Sequence, residues 1–137
     1  MKAPHLLRVD RGPESFAPLF EASRSAGLRV GWLELATAEP PARLEAAAAM
    51  GALRAVAVGG GRTITVKPVR GEPVLRDLLR EHFLGCALVL VAGDLDAPQL
   101  VPDGEAWLVS APDGRGLRFD TPGLVRALRR PRPFAQD

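Results

Sequence analysis

Three carboxylates follow segments that the sequence predicts to be buried strands. Glu34 lies near the end of the apolar segment 28–35, and Asp94 and Asp96 follow the apolar run that ends at Val91. Ligands of open parallel sheets bind beyond the carboxyl ends of the strands, and two or three carboxylates there would suit Mg²⁺. These residues are therefore a candidate divalent-cation site, in a small metal-dependent enzyme or a binder of a phosphate ligand. The interpretation that we favour is that they are ordinary loop and strand-end carboxylates.

The other reactive side chains occur without a partner pattern. Cys86 is the one cysteine of the chain and lies in an apolar run, so it cannot form an internal disulfide and is best explained as a small buried hydrophobe. His5 is near the terminus, and His82 falls in the last turn of a predicted helix, where an imidazole suits the helix dipole. The glycines 59–61 lie between two strand patterns, which is typical of a hairpin turn rather than a phosphate cradle. The sequence therefore predicts no catalytic residue.

The elements that must position these residues alternate between strands and helices. The predicted strands are 5–9, 28–35, 53–58, 63–67, 87–91, 105–110 and 116–119. The predicted helices are 15–26, 41–50, 72–84 and 121–130, the last with Thr121 as N-cap. The pattern predicts one three-layer α/β domain over 1–137, with a mostly parallel sheet, helices on both faces, an inserted β-hairpin and a flexible tail over 131–137.

Composition and charge exclude several classes of protein. The chain has 137 residues, of which 47% are hydrophobic and 25% charged, and its apolar runs are far shorter than the roughly 20 residues of a membrane span. The first residues lack the apolar core of a signal peptide, so we expect a cytoplasmic protein without membrane contacts. The formal net charge is only +2, with acidic and basic residues interspersed. We therefore expect no nucleic-acid partner and interpret the arginines of 126–132 as a solvated helix end.

The order of the elements and several short segments resemble the molybdopterin-guanine dinucleotide biosynthesis protein B family. The similar segments are 26–31 (AGLRVG), 43–52, 88–93 (LVLVAG), 97–100, 106–110 and 118–120. Together they extend over nearly the whole chain. The resemblance implies a P-loop NTPase-like fold, GTP binding and assistance in adding a guanine nucleotide to molybdopterin.

The phosphate loop of that family, GxxxxGK[ST], would fall on residues 8–15, RVDRGPES. Only its final hydroxyl, Ser15, is present. Arg8 and Pro13 stand at the two glycine positions, with Gly12 one position early, and proline has no N–H to donate to an anion. Glu14 stands where the family has its phosphate-binding lysine. The loop is therefore a degenerate Walker A motif that we expect not to bind GTP.

Two further segments also lack functional residues of the family. Ala92 stands where the family has an acidic residue at the strand end, and 35–40 lacks the family's histidines. We therefore predict a non-catalytic accessory protein, a pseudoenzyme that needs no cofactor and binds neither GTP nor Mg²⁺ by the family mechanism. The resemblance implies a molybdenum-cofactor protein as its partner.

The predicted hairpin offers a surface for a second chain. Its second arm includes Thr63, Ile64, Thr65 and Val66, whose apolar and hydroxyl faces would leave an unprotected strand edge. Because related proteins are dimers across such a region, we expect a homodimer with this hairpin as its main contact. The alternative is a monomer whose edge is protected by residues 67 and 68.

Overall fold

The computed structural model describes residues 3–35, 41–67, 69, 71 and 74–134. In chain order its strands are β1 His5–Val9, β2 Val30–Glu34, β3 Ala55–Gly59, β4 Arg62–Val66, β5 Leu88–Ala92, β6 Gln99–Asp103, β7 Ala106–Ser110 and β8 Gly116–Asp120. Its helices are α1 Ala17–Ser25, α2 Ala42–Ala49, α3 Leu75–His82 and α4 Thr121–Ala127, with a short 3-10 helix at Pro13–Phe16. The chain forms two compact units, 1–35 with 79–137 and 36–78. The expectation of a single domain stays a prediction.

The larger unit is built on a six-stranded sheet in the order β2-β5-β1-β6-β7-β8. The pairs β2–β5, β5–β1 and β1–β6 are parallel, whereas β6–β7 and β7–β8 are antiparallel. The predicted α/β class, with a mostly parallel sheet flanked by helices, is thus confirmed. The long apolar run predicted as a central strand is β5, whose first four residues are buried, as expected for a parallel strand covered on both faces.

Alternate residues of the central strands pack on opposite faces of this sheet. On one face, Leu7 and Leu90 are fully buried in a core that also contains residues of α1 and α4. On the other face, Val89 and Val91 are fully buried too. The ring of Phe83, directly after α3, lies against Gly31 on that second face, where an added Cβ would come within 2.5 Å of it.

Strand β6 is not predicted by the sequence pattern. It contains Pro102 and lacks the alternation that marks a half-buried strand. The cap of α4 was also wrongly assigned: it is Asp120, whose Oδ1 accepts a hydrogen bond from the Gly123 amide at 2.7 Å. The hydroxyl of Thr121 instead accepts a hydrogen bond from Trp107 Nε1 at 2.9 Å.

The smaller unit pairs α2 with a two-stranded antiparallel sheet of β3 and β4, which confirms the predicted hairpin. Gly60 and Gly61 form its turn at φ values of 58° and 74°, as a type I′ turn requires. Ala55 is buried, but Val58 is 81% exposed and Ile64 50% exposed. Residues 36–40, 68, 72 and 73, on which parts of the predictions fall, lie outside the described residues.

The last described residues contact the body of the larger unit. Phe134 packs edge-on against His5 and Phe119, at ring-centroid distances of 5.8 and 6.1 Å. His5 Nε2 lies 3.1 Å from the carbonyl oxygen of Leu128. Residues 135–137 are outside the described part of the chain, and the flexible tail stays a prediction.

Candidate functional site

The degenerate loop after β1 is folded on itself. Gly12 has extended backbone angles, φ −66° and ψ 163°, and its carbonyl oxygen accepts a hydrogen bond from the Ser15 amide at 3.2 Å. Pro13 opens the one-turn 3-10 helix. The carboxylate of Glu14 turns back over Gly12 and occupies the place that a Cβ on Gly12 would take. The loop therefore presents a negative group beside Gly12.

Phe16 fixes the end of this loop. Its side chain is fully buried, and its ring stacks on Trp107 with 6.0 Å between centroids and 19° between planes. A second contact, with Trp32, has a centroid distance of 6.1 Å. Because Trp32 and Trp107 belong to β2 and β7, this aromatic cluster ties the loop to two strands of the sheet.

The three predicted cation-site carboxylates lie at or after the carboxyl ends of neighbouring strands. Glu34 pairs in register with Ala92 across β2 and β5, and Asp94 and Asp96 follow β5. All three are exposed, and Glu34 Oε1 accepts a hydrogen bond from Trp32 Nε1 at 3.2 Å. Within the described ranges, no group of three or more His, Cys, Asp or Glu residues has a geometry that could hold a metal ion. The cation site stays a prediction.

A cleft of about 370 Å³ opens where β1 ends and β6 begins. We call it the Arg8 cleft, and it is lined by Arg8, Val9, Asp10, Gly93, Asp94 and Gln99. Arg8 pairs in register with Gln99 across the parallel strands, and its Nη2 donates to Gln99 Oε1 at 3.5 Å. The Arg8 Nε atom is buried and has no hydrogen-bond partner among the residues that the structure describes. Of the predicted cation-site carboxylates, only Asp94 lines this cleft.

The sequence pattern assigns Arg8 to the degenerate phosphate loop and does not predict the Arg8 cleft. One signal was available: arginine is the only residue with a permanent charge inside the strand HLLRV. Gln99 could not have been assigned, because it begins the strand that was missed. The side chains come together through the β1–β6 pairing, which places Arg8 and Gln99 at the same level of the sheet.

Cys86 lies outside this cleft, between α3 and β5. Partial burial raises the pKa of its thiol above the ordinary value of 9.0, and the positive charge of Arg29 opposes that shift. The thiol is therefore protonated at neutral pH. Cys86 is half-buried, so the predicted buried position is correct only in part.

Comparison with known protein families finds no family model that matches this chain. A search of curated proteins finds no matching relative. Among the described residues, no helix has both the length and the apolar character needed to cross a membrane.

Proposed function

We propose that this chain is a non-catalytic accessory protein with a degenerate P-loop NTPase-like fold. It acts in the cytoplasm through protein contacts, in assembly or delivery of the molybdenum cofactor. The fold supports this proposal in outline, since β1 lies inside the sheet between β5 and β6 and leads through a loop into α1. The molybdenum-cofactor role rests on the resemblance to the molybdopterin-guanine dinucleotide biosynthesis protein B family, because a fold alone does not define a function.

The position of Glu14 is the observation that carries the non-catalytic part of the proposal. A phosphate loop binds its anion through successive backbone N–H groups and a lysine. In this loop Pro13 has no N–H, and the Glu14 carboxylate lies over Gly12. Hydrogen bonds to charged groups contribute about 1.5–3 kcal/mol each. Loss of the N–H at Pro13 and of the lysine at Glu14 therefore weakens phosphate binding by roughly a hundredfold or more.

Thermal unfolding with GTP, GDP or ATP in the presence of Mg²⁺ tests this part. We expect no change in Tm. A ligand at one hundred times its Kd would stabilise the fold by about 2.7 kcal/mol, which is a shift of several degrees for a chain of this size. A shift that Ser15→Ala abolishes would contradict the proposal, and one that only Glu34→Ala abolishes would support the metal-dependent alternative instead.

The proposed accessory protein is a homodimer whose main contact is the hairpin. Two-stranded hairpins are only marginally stable by themselves, and the residues of Thr63–Thr65 are exposed and uncharged. A β4 edge that pairs with its symmetry mate around Ile64 would place Thr63 opposite Thr65 and bring no like charges together. Contact with a second copy would therefore cover apolar surface and satisfy edge hydrogen bonds.

Sedimentation equilibrium of the wild-type chain and of Ile64→Lys tests the dimer. The wild type should sediment as a dimer, and the variant as a monomer because it sets two ammonium groups against each other at the two-fold axis. Ala46→Lys, at an exposed position of α2, is the matched control and should remain dimeric. A monomeric wild type, or equal dissociation of both variants, would contradict the hairpin interface.

A further inference from the structure

We propose that the Arg8 cleft binds a small zwitterionic ligand of the α-amino-acid type. Arg8 would hold the carboxylate of the ligand, and Asp10 and Asp94 would hold its ammonium group. This site shares Arg8 and Asp10 with the degenerate segment 8–15 but does not involve Glu14 or Ser15, and it does not depend on the proposed accessory function.

The state of the Arg8 guanidinium is the first observation. It has five N–H donors, yet within the described residues its one side-chain hydrogen bond is the 3.5 Å contact with Gln99 Oε1. Its Nε atom is shielded from solvent and has no acceptor in the described part of the chain. A carboxylate in the cleft that accepts from both Nη groups in parallel would give the guanidinium the charge-assisted partner that it lacks among the described residues.

The second observation is the charge around Arg8. Asp10 and Asp94 line the same cleft, are exposed, and form no side-chain hydrogen bond or ion pair with the described residues. A simple oxoanion would add a third negative charge beside these two carboxylates. A ligand that carries an ammonium group next to its carboxylate would satisfy both signs of charge, so the cleft favours a zwitterion.

The size and walls of the cleft agree with a small ligand. Its volume of about 370 Å³ lies near the lower end of the usual range for ligand pockets, roughly 300–1,000 Å³. The polar groups come from β1 and the residue after it, from the segment after β5 and from the first residue of β6. Pairing in the sheet fixes the backbone positions of Arg8 and Gln99, so the carboxylate-binding half of the site is built on strands rather than on a loop.

Titration followed by ¹H–¹⁵N NMR of arginine Nε–H groups tests the proposal. The probes are glycine, L-alanine, L-glutamate and L-lysine, with acetate, methylamine and inorganic phosphate as probes that carry one sign of charge. We expect saturable shifts of the Arg8 signal with amino acids, tightest with L-lysine because the cleft has an excess negative charge. Acetate and phosphate should bind roughly tenfold more weakly or worse, because they lack the charge-assisted bonds to the aspartates.

Variants identify the groups involved. Affinity for L-lysine, measured by calorimetry, should be lost in Arg8→Met and reduced roughly tenfold in Asp94→Asn. Arg76→Met, which removes an exposed arginine of α3, is the control and should bind normally. The proposal is overturned if no amino acid shifts the Arg8 signal, if acetate or phosphate binds as tightly as the amino acids, or if Arg8→Met retains binding. A failed nucleotide titration, in contrast, leaves this site unaffected.

Discussion

Phe16→Ala should destabilise the protein by about 3–5 kcal/mol, the usual cost of truncating a buried aromatic side chain to alanine. The ring has no exposed surface and contacts Trp32 and Trp107, so its removal leaves a cavity that these rigid rings cannot fill. Proteins of ordinary stability unfold at a cost of about 5–15 kcal/mol. The variant would therefore lose a large share of the protein's free energy of unfolding.

Urea unfolding followed by circular dichroism measures this loss. Phe16→Leu keeps most of the apolar volume and should lose much less stability than the alanine variant. The matched surface control is Leu84→Ala, at a side chain that is 60% exposed, and its effect should be small. If Phe16→Ala and Leu84→Ala cost the same free energy, the aromatic cluster does not anchor the loop as described.

Gly93→Ala should destabilise the protein through two separate effects. The φ angle of Gly93 is +140°, where residues with a Cβ are strained by about 1–3 kcal/mol. The added Cβ would also come within 2.7 Å of Leu35 Cβ, and overpacking of this kind costs a further 1–3 kcal/mol, approximately. Because Gly93 lines the Arg8 cleft, the same change should also alter the cleft.

Gly114→Ala separates the two effects. Gly114 has a φ of +89°, but an added Cβ there would meet no atom within 4 Å, so that variant reports backbone strain alone. Unfolding in urea should show a larger loss for Gly93→Ala than for Gly114→Ala. Equal losses would mean that the approach of Leu35 has no energetic consequence.

Much of the fold could be predicted because local patterns and tertiary packing agree. Strand β5 is predicted within one residue of its observed bounds, since a continuous apolar run of this length is typical of a buried strand. The predicted bounds of β1 match those observed. Helix α1 begins at Ala17 rather than 15, because the chain first forms a 3-10 turn after Pro13. Strand β6 could not be recognised because its pairing partners, rather than its own residues, hold Pro102 in an extended conformation.

The candidate site is only partly predictable, because some of its contacts depend on strand pairing rather than on local sequence. The adjacency of Glu34 and the segment after β5 followed from the rule for parallel strands, and the β2–β5 register confirms it. The meeting of Arg8 with Gln99 depends on β1–β6 pairing, which no local pattern encodes. Nor could sequence spacing reveal that Glu14 turns back over Gly12, because that contact depends on a side-chain rotamer.

Backbone amide NMR during a titration with GTP and Mg²⁺ tests the central claim most directly. The claim is that the turn at Gly12, Glu14 and Ser15 cannot bind a triphosphate. If so, the amide signals of these three residues will stay in place throughout the titration. Saturable shifts of those signals at micromolar GTP would contradict the claim, and with it the assignment of this chain as a non-catalytic protein.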